Sequence, residues 1–544
     1  MQVIKSPKVY DVAIIGSGAA GGITGWVMTK AGLDVVMLEA GPMRKISELP
    51  VHRVRRWNLP YRGLRGDYFR EWLDYTNFLI DDKREPYAWE GKDWFEWVRV
   101  RAVGGKSLFW AGVTPRFGPD EFEPKDDFDT RWPITYSDIA PFYDRVEELI
   151  GVSSNGEGVP TFPKNNGLPP LKPKCAEVEL GRAAESLGRG LKVLPIPKAI
   201  LTKDHNGRPA CHYCGPCWLG CDSGSKFDSL RVFVMGAQRT GKLTLMTGAR
   251  VGSLALGSDG RVQTARYYDV SEKTWREVRA KVFILGAGCI ESSQILLNSK
   301  IANSSGLVGR YLSEHMYAAV AGYLPQLSGR KIFNEDGNGA HIIIPDLTAN
   351  WRGKKFIRGY QIFPSGSIPE FTLIGKSLPG FGKEWMEAVR NYYTAGASVL
   401  FQGEVLPYRN NRIEVDEKLK DDAGIPGVRF HYRWGDNEQA MFRDMMEVGN
   451  EIMQRAGAEM LPSRNPRPME YGHSIHYVGT ARMGKDPKTS VVNEWNQSHD
   501  VPNLFVHDAG AFVTAGNQNP TLTILALALR SSERIVELMK RQEL

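Results

Sequence analysis

Four cysteines, Cys211, Cys214, Cys217 and Cys221, fall within eleven residues in the spacing C-x2-C-x2-C-x3-C. Clustered thiolates are the soft ligands that iron–sulfur clusters require, and this spacing matches one. In the ferredoxin form a proline follows the last cysteine, whereas Asp222 follows Cys221. Structural zinc also takes four cysteines, but its ligand pairs usually lie well apart in sequence. Disulfides at so tight a spacing are geometrically awkward. Four unligated core cysteines are the bland alternative. A second stretch, Gly16-Ser-Gly18-Ala-Ala-Gly21, has the G-x-G-x-x-G form that cradles a pyrophosphate. Gly16 permits the tight turn, Gly18 lets the backbone approach the phosphates, and Gly21 lets helix and strand pack closely. A metal cluster beside an organic redox cofactor implies that electrons leave one at a time, toward another carrier.

The elements around the glycines must hold them in place. Tyr10-Asp-Val-Ala-Ile-Ile15 reads as a short buried strand, a helical stretch follows to about Lys30, and Asp34-Val-Val-Met-Leu-Glu39 reads as a second strand. In this βαβ unit the helix N-terminus points positive dipole at the phosphates. Glu39, at the end of the second strand, can accept bonds from ribose hydroxyls. The motif alone does not separate FAD from NAD.

At 544 residues the chain exceeds one simple core, so two or more domains are expected. Hydrophobic residues at 42% and charged residues at 24% are ordinary for a globular protein. With 69 basic and 62 acidic residues the net charge is +7, and no basic run stands out, which argues against nucleic-acid binding. Docking to an acidic protein partner stays open. Only six cysteines occur, with Cys175 and Cys289 isolated, so no disulfide framework is expected. The first residues carry no apolar core of a signal peptide. The uncharged runs 12–29 and 509–529 are interrupted by glycines and by Gly516-Asn-Gln-Asn-Pro520, and neither reads as a membrane span.

Further blocks carry a resemblance. Glu39-Ala40-Gly41-Pro42 follows the second strand, and Arg101-Ala-Val-Gly104-Gly105-Lys-Ser107-Leu-Phe-Trp110-Ala-Gly112 is a second glycine-rich segment. Ala249-Arg-Val251, then Lys281-Val-Phe-Ile-Leu-Gly286-Ala-Gly288 with Glu291-Ser-Ser-Gln, and Val308-Gly309-Arg310-Tyr-Leu-Ser-Glu-His315 complete the set. Together they resemble the glucose–methanol–choline (GMC) oxidoreductases. The resemblance implies an α/β (α+β overall) fold: a Rossmann-like FAD-binding domain and an antiparallel-sheet substrate domain. The FAD domain is expected to be discontinuous, over residues 1–50, 95–117, 225–318 and 466–544. Residues 320–465 are expected to form the substrate domain and 205–224 the cysteine loop. It also implies FAD contacts at Gly16, Gly18, Ala19, Ala20, Gly21, Glu39, Ala40, Arg101, Gly104, Gly105, Ser107, Val251, Gly286, Asp508, Ala509, Gly510, Asn519, Pro520 and Thr521. Phe109 stands where covalently flavinylated members carry histidine, so non-covalent FAD is expected. Tryptophans crowd residues 57–132 (Trp57, Trp72, Trp89, Trp94, Trp97, Trp110 and Trp132); most are expected to be packing residues.

Near the C-terminus comes His473-Ser-Ile-His476-Tyr-Val-Gly479-Thr-Ala-Arg-Met483-Gly484, and later Gly516-Asn-Gln-Asn519-Pro520-Thr521 opening an apolar helix. By resemblance His476 is the active-site histidine and Asn519 its partner. A neutral imidazole suits removal of a hydroxyl proton, and the amide would orient the same hydroxyl. His473, three residues upstream and able to share a helical face with His476, is expected to be structural. Sugar dehydrogenases of this family, among them glucoside 3-dehydrogenase, carry a three-iron cluster that Cys211, Cys217 and Cys221 match; Cys214 is the departure and leaves a four-iron cluster open. His212, Tyr213, Trp218 and Lys226 are placed to tune such a cluster. The resemblance thus implies a sugar or glycoside dehydrogenase making a keto sugar, with C3 as one site. It also implies a small export or chaperone subunit, a cytochrome c or other acceptor, and a periplasmic location by co-export or else a cytoplasmic one. An oxidase that uses oxygen and a non-catalytic electron-transfer flavoprotein subunit are the rivals.

Overall fold

The computed structural model describes residues 3–49, 78–126, 128, 130–154, 157–159, 161–215, 217–331, 339–345, 353–366, 378–461 and 468–544. Trp57 and Trp72 lie outside these. The first layer is a mixed seven-stranded sheet. Strand β1 (Val3–Ile15) leads through the glycine turn into helix α1 (Ala19–Lys30) and then β2 (Val35–Glu39). Strands β3 (Leu243–Thr247), β4 (Ala249–Leu256), β5 (Val262–Asp269) and β6 (Thr274–Leu285) complete the order β3-β2-β1-β6-β5-β4, and Leu504–Val506 pairs with β6. The β3, β2, β1 and β6 pairings are parallel, while β6-β5-β4 is an antiparallel meander. Every residue of β2 is buried, as expected of a parallel strand covered on both faces. The strand read from Tyr10 in fact begins at Val3; its pairing with β6 shifts register between Lys5 and Val9, around Pro7, which has no N–H to donate to a ladder.

Helix α1 is held against the C-terminal helix by polar bonds as well as apolar packing. The buried His507 ring is within 2.8 Å of both the Thr24 and the Ser531 hydroxyls. Helix α2 (Cys289–Ser299) follows β6 at the glycine turn Gly286-Ala-Gly288.

A second sheet lies over the ends of the first. Strand β7 (His315–Tyr323) is flanked by β9 (Gly396–Glu404), which pairs on its other side with β8 (Tyr360–Ser365), and Glu459–Met460 closes the far edge of β7. All these pairings are antiparallel, and the register sets Glu404 opposite His315. A hairpin of β10 (Arg412–Lys420) and β11 (Pro426–His431) packs below, with β11 pairing with Ala88–Trp89. Helix α3 (Asp436–Arg455) covers the sheet. Gly449 of α3 approaches Phe401 so closely that a Cβ there would lie 2.9 Å from the ring. Helix α4 (Thr521–Lys540) packs against α1 and against the helix Tyr136–Ile150.

The glycine turn shows what each position requires. Gly16 has φ +96, and a Cβ on it would sit 2.5 Å from the Gly286 carbonyl oxygen. A Cβ on Gly21 would lie 1.9 Å from the Gly16 carbonyl oxygen, whereas one on Gly18 meets nothing within 4 Å. Gly21→Val is therefore expected to destabilise the cofactor-free protein by about 3 kcal/mol or more, the upper range for overpacking. Gly18→Ala should leave its thermal unfolding midpoint nearly unchanged. Thermal unfolding of both variants checks the contrast, and equal midpoints would contradict it.

Candidate active site

A cavity of about 630 Å³ opens at the carboxyl ends of β1, β2 and β6 and extends to the start of α4. That is where open α/β sheets bind ligands. Its wall at one end is Gly16, Gly18, Glu39 and Arg101, and at the other His476, Asn519 and Tyr317. Helix α1 begins at Gly18 with no side-chain cap and no acidic residue in its first turn, so its first N–H groups and its dipole are free for an anion. The open space above Gly18 reaches that N-terminus. These features fit the pyrophosphate of FAD. The Glu39 carboxylate is already engaged: it accepts from the Ser17 N–H and hydroxyl at 3.1 and 2.6 Å and from the Gly41 N–H at 2.8 Å. Burial pushes its pKa up against those bonds. Asp508 accepts from the N–H groups of Gly510 and Gly288 at 2.8 and 3.1 Å and from the Ser292 hydroxyl. Burial lifts its carboxyl to about 6. Arg101 donates to Glu85 at 2.9 Å.

Most residues expected to touch FAD line the cavity: Gly16, Gly18, Ala19, Ala20, Glu39, Ala40, Arg101, Gly105, Ser107, Val251, Gly286, Asp508, Ala509, Asn519, Pro520 and Thr521. Gly21, Gly104 and Gly510 stand behind the wall. Gly21 presses on the Gly16 carbonyl. Gly104 donates its N–H to the Ser17 hydroxyl at 3.0 Å, and Gly510 is bound to Asp508. Phe109 lines the cavity and packs edge-on against Phe78. Trp97 and Trp110 also reach the wall, while Trp132 is packed among Phe117, Phe122 and Phe512.

At the other end, two histidines face each other. His476 Nδ1 lies 3.0 Å from His315 Nδ1, and His315 Nε2 lies 2.9 Å from the Gly516 carbonyl oxygen. A carbonyl only accepts, so His315 carries its proton on Nε2. Burial pushes the His315 imidazole down to about 4, so the ring is neutral and its Nδ1 is an acceptor. His476 must then donate from Nδ1, which leaves a lone pair on Nε2. That nitrogen is 3.3 Å from the Asn519 amide nitrogen, and Asn519 Oδ1 is buried without a hydrogen-bond partner in the protein. Burial, with smaller contributions from His315 and Lys106, holds the His476 imidazole well below the usual histidine range. A neutral base and an amide therefore meet at one point of the cavity wall, a pairing able to take a hydroxyl proton while holding its oxygen.

The loop that carries His476 is tied to the start of β7. The Ser474 hydroxyl donates to Glu314 at 2.9 Å and accepts from the N–H groups of His315 and His476 at 3.3 and 3.2 Å. Gly472 N–H donates to Glu314 at 2.7 Å, and burial raises that carboxyl to about 7. The sequence places His473 and His476 on one helical face. Instead residues 472–475 form a tight turn, with Ile475 at φ +59, a left-handed conformation rare for a β-branched residue. The two rings therefore go to different partners, and His473 lies 3.1 Å from Glu96.

The four thiols are brought together without disulfides, Cys217 and Cys221 buried and the other two half-buried. Burial, followed by the like charges of Cys217 and Cys221, pushes Cys214 up to about 12; Cys211 reaches about 11 from burial and the same two neighbours. Cys221 is lowered, because hydrogen bonds from Ser223 and the Lys226 N–H and the charges of Lys226 and Arg231 outweigh its burial. Two lysines only 1% exposed, Lys198 and Lys226, face the quartet. On the exposed side, ligand atoms of Cys214, His212 and Asp222 lie within 4.8 Å of one another. Trp218, next to Cys217, and Lys198 both reach the cavity wall.

Sequence reasoning missed the part played by His315, along with Lys106, Tyr317, Lys198 and Glu291 in the wall. His315 had one signal, an ionisable residue opening a strand with apolar alternation.

Because His476 is neutral well below pH 6.5, kcat/KM for alcohol oxidation is expected to stay flat as pH falls through 6.5 and to drop only below it. An acid limb centred at 6.5 or above would contradict this. His315→Ala frees the His476 tautomer and removes a neighbour that lowers its pKa. Steady-state kinetics should show kcat reduced by about a hundredfold, the lower end of the range for general-base catalysis, and the acid limb moved to higher pH.

Comparison with known proteins bears on this geometry. Two family models described as GMC oxidoreductase match residues 21–317 and 407–528. The chain is 30% identical to 2-methyl-1,2-propanediol dehydrogenase of Mycolicibacterium austroafricanum, over 96% of this chain and 95% of that one. It is 27% identical to the fructose dehydrogenase large subunit of Gluconobacter japonicus, over 98% of each. The crystal structure of pyridoxine 4-oxidase from Mesorbium loti shares the fold, with a TM-score of 0.64 at 17% identity, covering 96% of this chain and 99% of that one. Among the described residues no helix is long and apolar enough to cross a membrane. The chain belongs to the GMC oxidoreductase family and is an FAD-dependent oxidoreductase acting on CH–OH groups.

Proposed function

We propose that this enzyme is a dehydrogenase that oxidises a secondary alcohol of a sugar or glycoside to a keto sugar, with C3 the favoured position. The observation that carries the reading is the unprotonated Nε2 of His476, hydrogen-bonded at 3.3 Å to the Asn519 amide nitrogen in the cavity wall. The substrate hydroxyl donates to Nε2 and gives up its proton there. The Asn519 amide nitrogen donates to the hydroxyl oxygen, and its Oδ1 is left to accept from a neighbouring hydroxyl, as a vicinal diol provides. FAD, non-covalent and held by the glycine turn, Glu39, Arg101 and Asp508, supplies the hydride acceptor. Tyr317 is kept in place by donating to Gln402 at 2.6 Å, and Gln402 in turn donates to the Asn517 carbonyl at 2.6 Å, which steadies the loop that presents Asn519. Trp97, Trp110 and Trp218 give the wall apolar faces suited to sugar C–H surfaces. The relative named as a fructose dehydrogenase large subunit supports a sugar substrate and a partner subunit.

The quartet supports an iron–sulfur cluster as a one-electron outlet to a cytochrome c or other external acceptor. Burial and then the like charges of Cys217 and Cys221 raise the pKa of Cys211 and Cys214, so the four would ionise together only if a metal centre took their charge. Burial pushes the Lys198 and Lys226 ammonium groups down, Lys226 to about 8, and the negative charge of an anionic cluster would hold them charged better than neutral thiols. We assign the ligands of a three-iron cluster to Cys211, Cys217 and Cys221, with Cys214 turned toward His212 and Asp222. The domain division given above, and export with a small partner subunit, belong to the same reading.

Anaerobic titration of the purified holoenzyme with sugars and glycosides, followed by optical and electron paramagnetic resonance spectra, tests it. Flavin bleaching with appearance or loss of a cluster signal is expected. Protein without iron would overturn the cluster outlet, and stoichiometric hydrogen peroxide in air with no dye reduction would overturn the dehydrogenase reading in favour of an oxidase.

A further inference from the structure

Lys226 is 1% exposed, and its side chain crosses between the cysteine loop and the cavity wall. Its Nζ donates to the carbonyls of Leu108 and Trp110 at 2.9 and 3.0 Å, while its own N–H donates to Cys221 Sγ at 3.4 Å. The bond is returned one residue on: Trp110 Nε1 donates to the Phe227 carbonyl at 2.8 Å. Residues 109–111 line the cavity. Leu108 and Trp110 on one side and Lys226 and Phe227 on the other are thus clamped by three hydrogen bonds, with one sulfur of the quartet attached directly.

The two buried lysines differ in their surroundings. Lys198 shares its charge with the buried carboxylate of Glu177, which also meets Lys174. The carboxylate nearest Lys226 in charge, Asp228, is in an ion pair with Arg231 at 3.2 Å. The two carbonyls fix the ammonium but carry no net charge to offset it. A buried cation close to the sulfurs, in a site poorly screened by salt, favours the state of a cluster that holds the extra electron. Hydrogen bonds to the sulfurs act in the same direction.

We propose that Lys226 is a positioning residue for a cluster held by the quartet: its ammonium raises the cluster's reduction potential, and its clamp on Leu108 and Trp110 fixes the cluster against the wall of the flavin cavity. This rests on the iron–sulfur reading above, and the two are separable. Iron and sulfide content of the wild-type holoenzyme tests the cluster itself, and their absence would overturn both.

Given a cluster, the test is a redox titration of Lys226→Met and Lys226→Arg holoenzymes, monitored by electron paramagnetic resonance. Lys226→Met should retain iron and show a cluster midpoint potential below that of wild type. Lys226→Arg should restore most of the difference, and the flavin midpoint should move less than the cluster midpoint in both. If Lys226→Met does not fold, Lys226→Gln, which keeps a neutral donor for the carbonyls, carries the same expectation. An unchanged cluster midpoint in a folded neutral variant overturns the proposal. So does loss of iron from a folded Lys226→Gln protein, which would make the side chain a structural prop only.

Discussion

The backbone carbonyl of Gly516 decides which nitrogen of His476 is free. It can only accept, so it fixes the proton of His315 on the far side of that ring, and His315 passes the constraint to His476. Neither ring carries a second proton in the folded protein near neutrality, because burial holds both below the usual range. The relay therefore has one consistent arrangement of protons, and it ends in a lone pair at the cavity. Much of the surrounding architecture serves this geometry. The second sheet sets His315 at the start of β7, opposite Glu404. The Ser474 hydroxyl ties the loop of His476 to the same point. The 515–519 segment supplies the Gly516 carbonyl and the Asn519 amide together, so one loop positions both partners of His476.

Charge is the second constraint. The cavity and the cysteine loop gather buried ionisable groups that would be costly alone. Arg101 is kept charged against burial by Glu85, Glu291 and Glu39. Lys106 lies over the Tyr477 ring, with Glu291 and Asp508 opposing the effect of burial on it. Around the quartet the excess is positive, from Lys198 and Lys226. A nucleotide diphosphate at one end and, on the iron–sulfur reading proposed above, an anionic cluster at the other are charges that these surroundings would accommodate, and the same segment, residues 104–111, runs between the two places.

How much of this was legible in the sequence depended on distance along the chain. The glycine turn and Glu39 are local, so spacing alone gave their positions, and Gly16 makes the tight turn and Gly21 the close approach that the spacing implies. Pro7 hid the first residues of β1, because it reads as a break although pairing with β6 resumes beyond it. His473 and His476 read as a helical pair, since the spacing i, i+3 carries no sign of the left-handed backbone at Ile475. The function of His315 was not legible, because its partners lie 161 and 201 residues away. His507 is as buried as His315, yet two hydroxyls satisfy both of its nitrogens and the ring serves the packing of α1 against α4. The sequence offers nothing to separate these two histidines; only their partners do. The quartet was visible at once, and Lys226 was already named beside it, but Lys198 and the burial of both lysines were not legible, since burial of a lysine is a property of the fold.

The central claim is the position of one proton. Nitrogen-15 spectra of protein with labelled histidine, with the His476 resonances identified by their loss in His476→Asn, report it directly. The account predicts a protonated, pyrrole-type Nδ1 and an unprotonated, pyridine-type Nε2 at neutral pH. A protonated Nε2, or a doubly protonated ring, would contradict it.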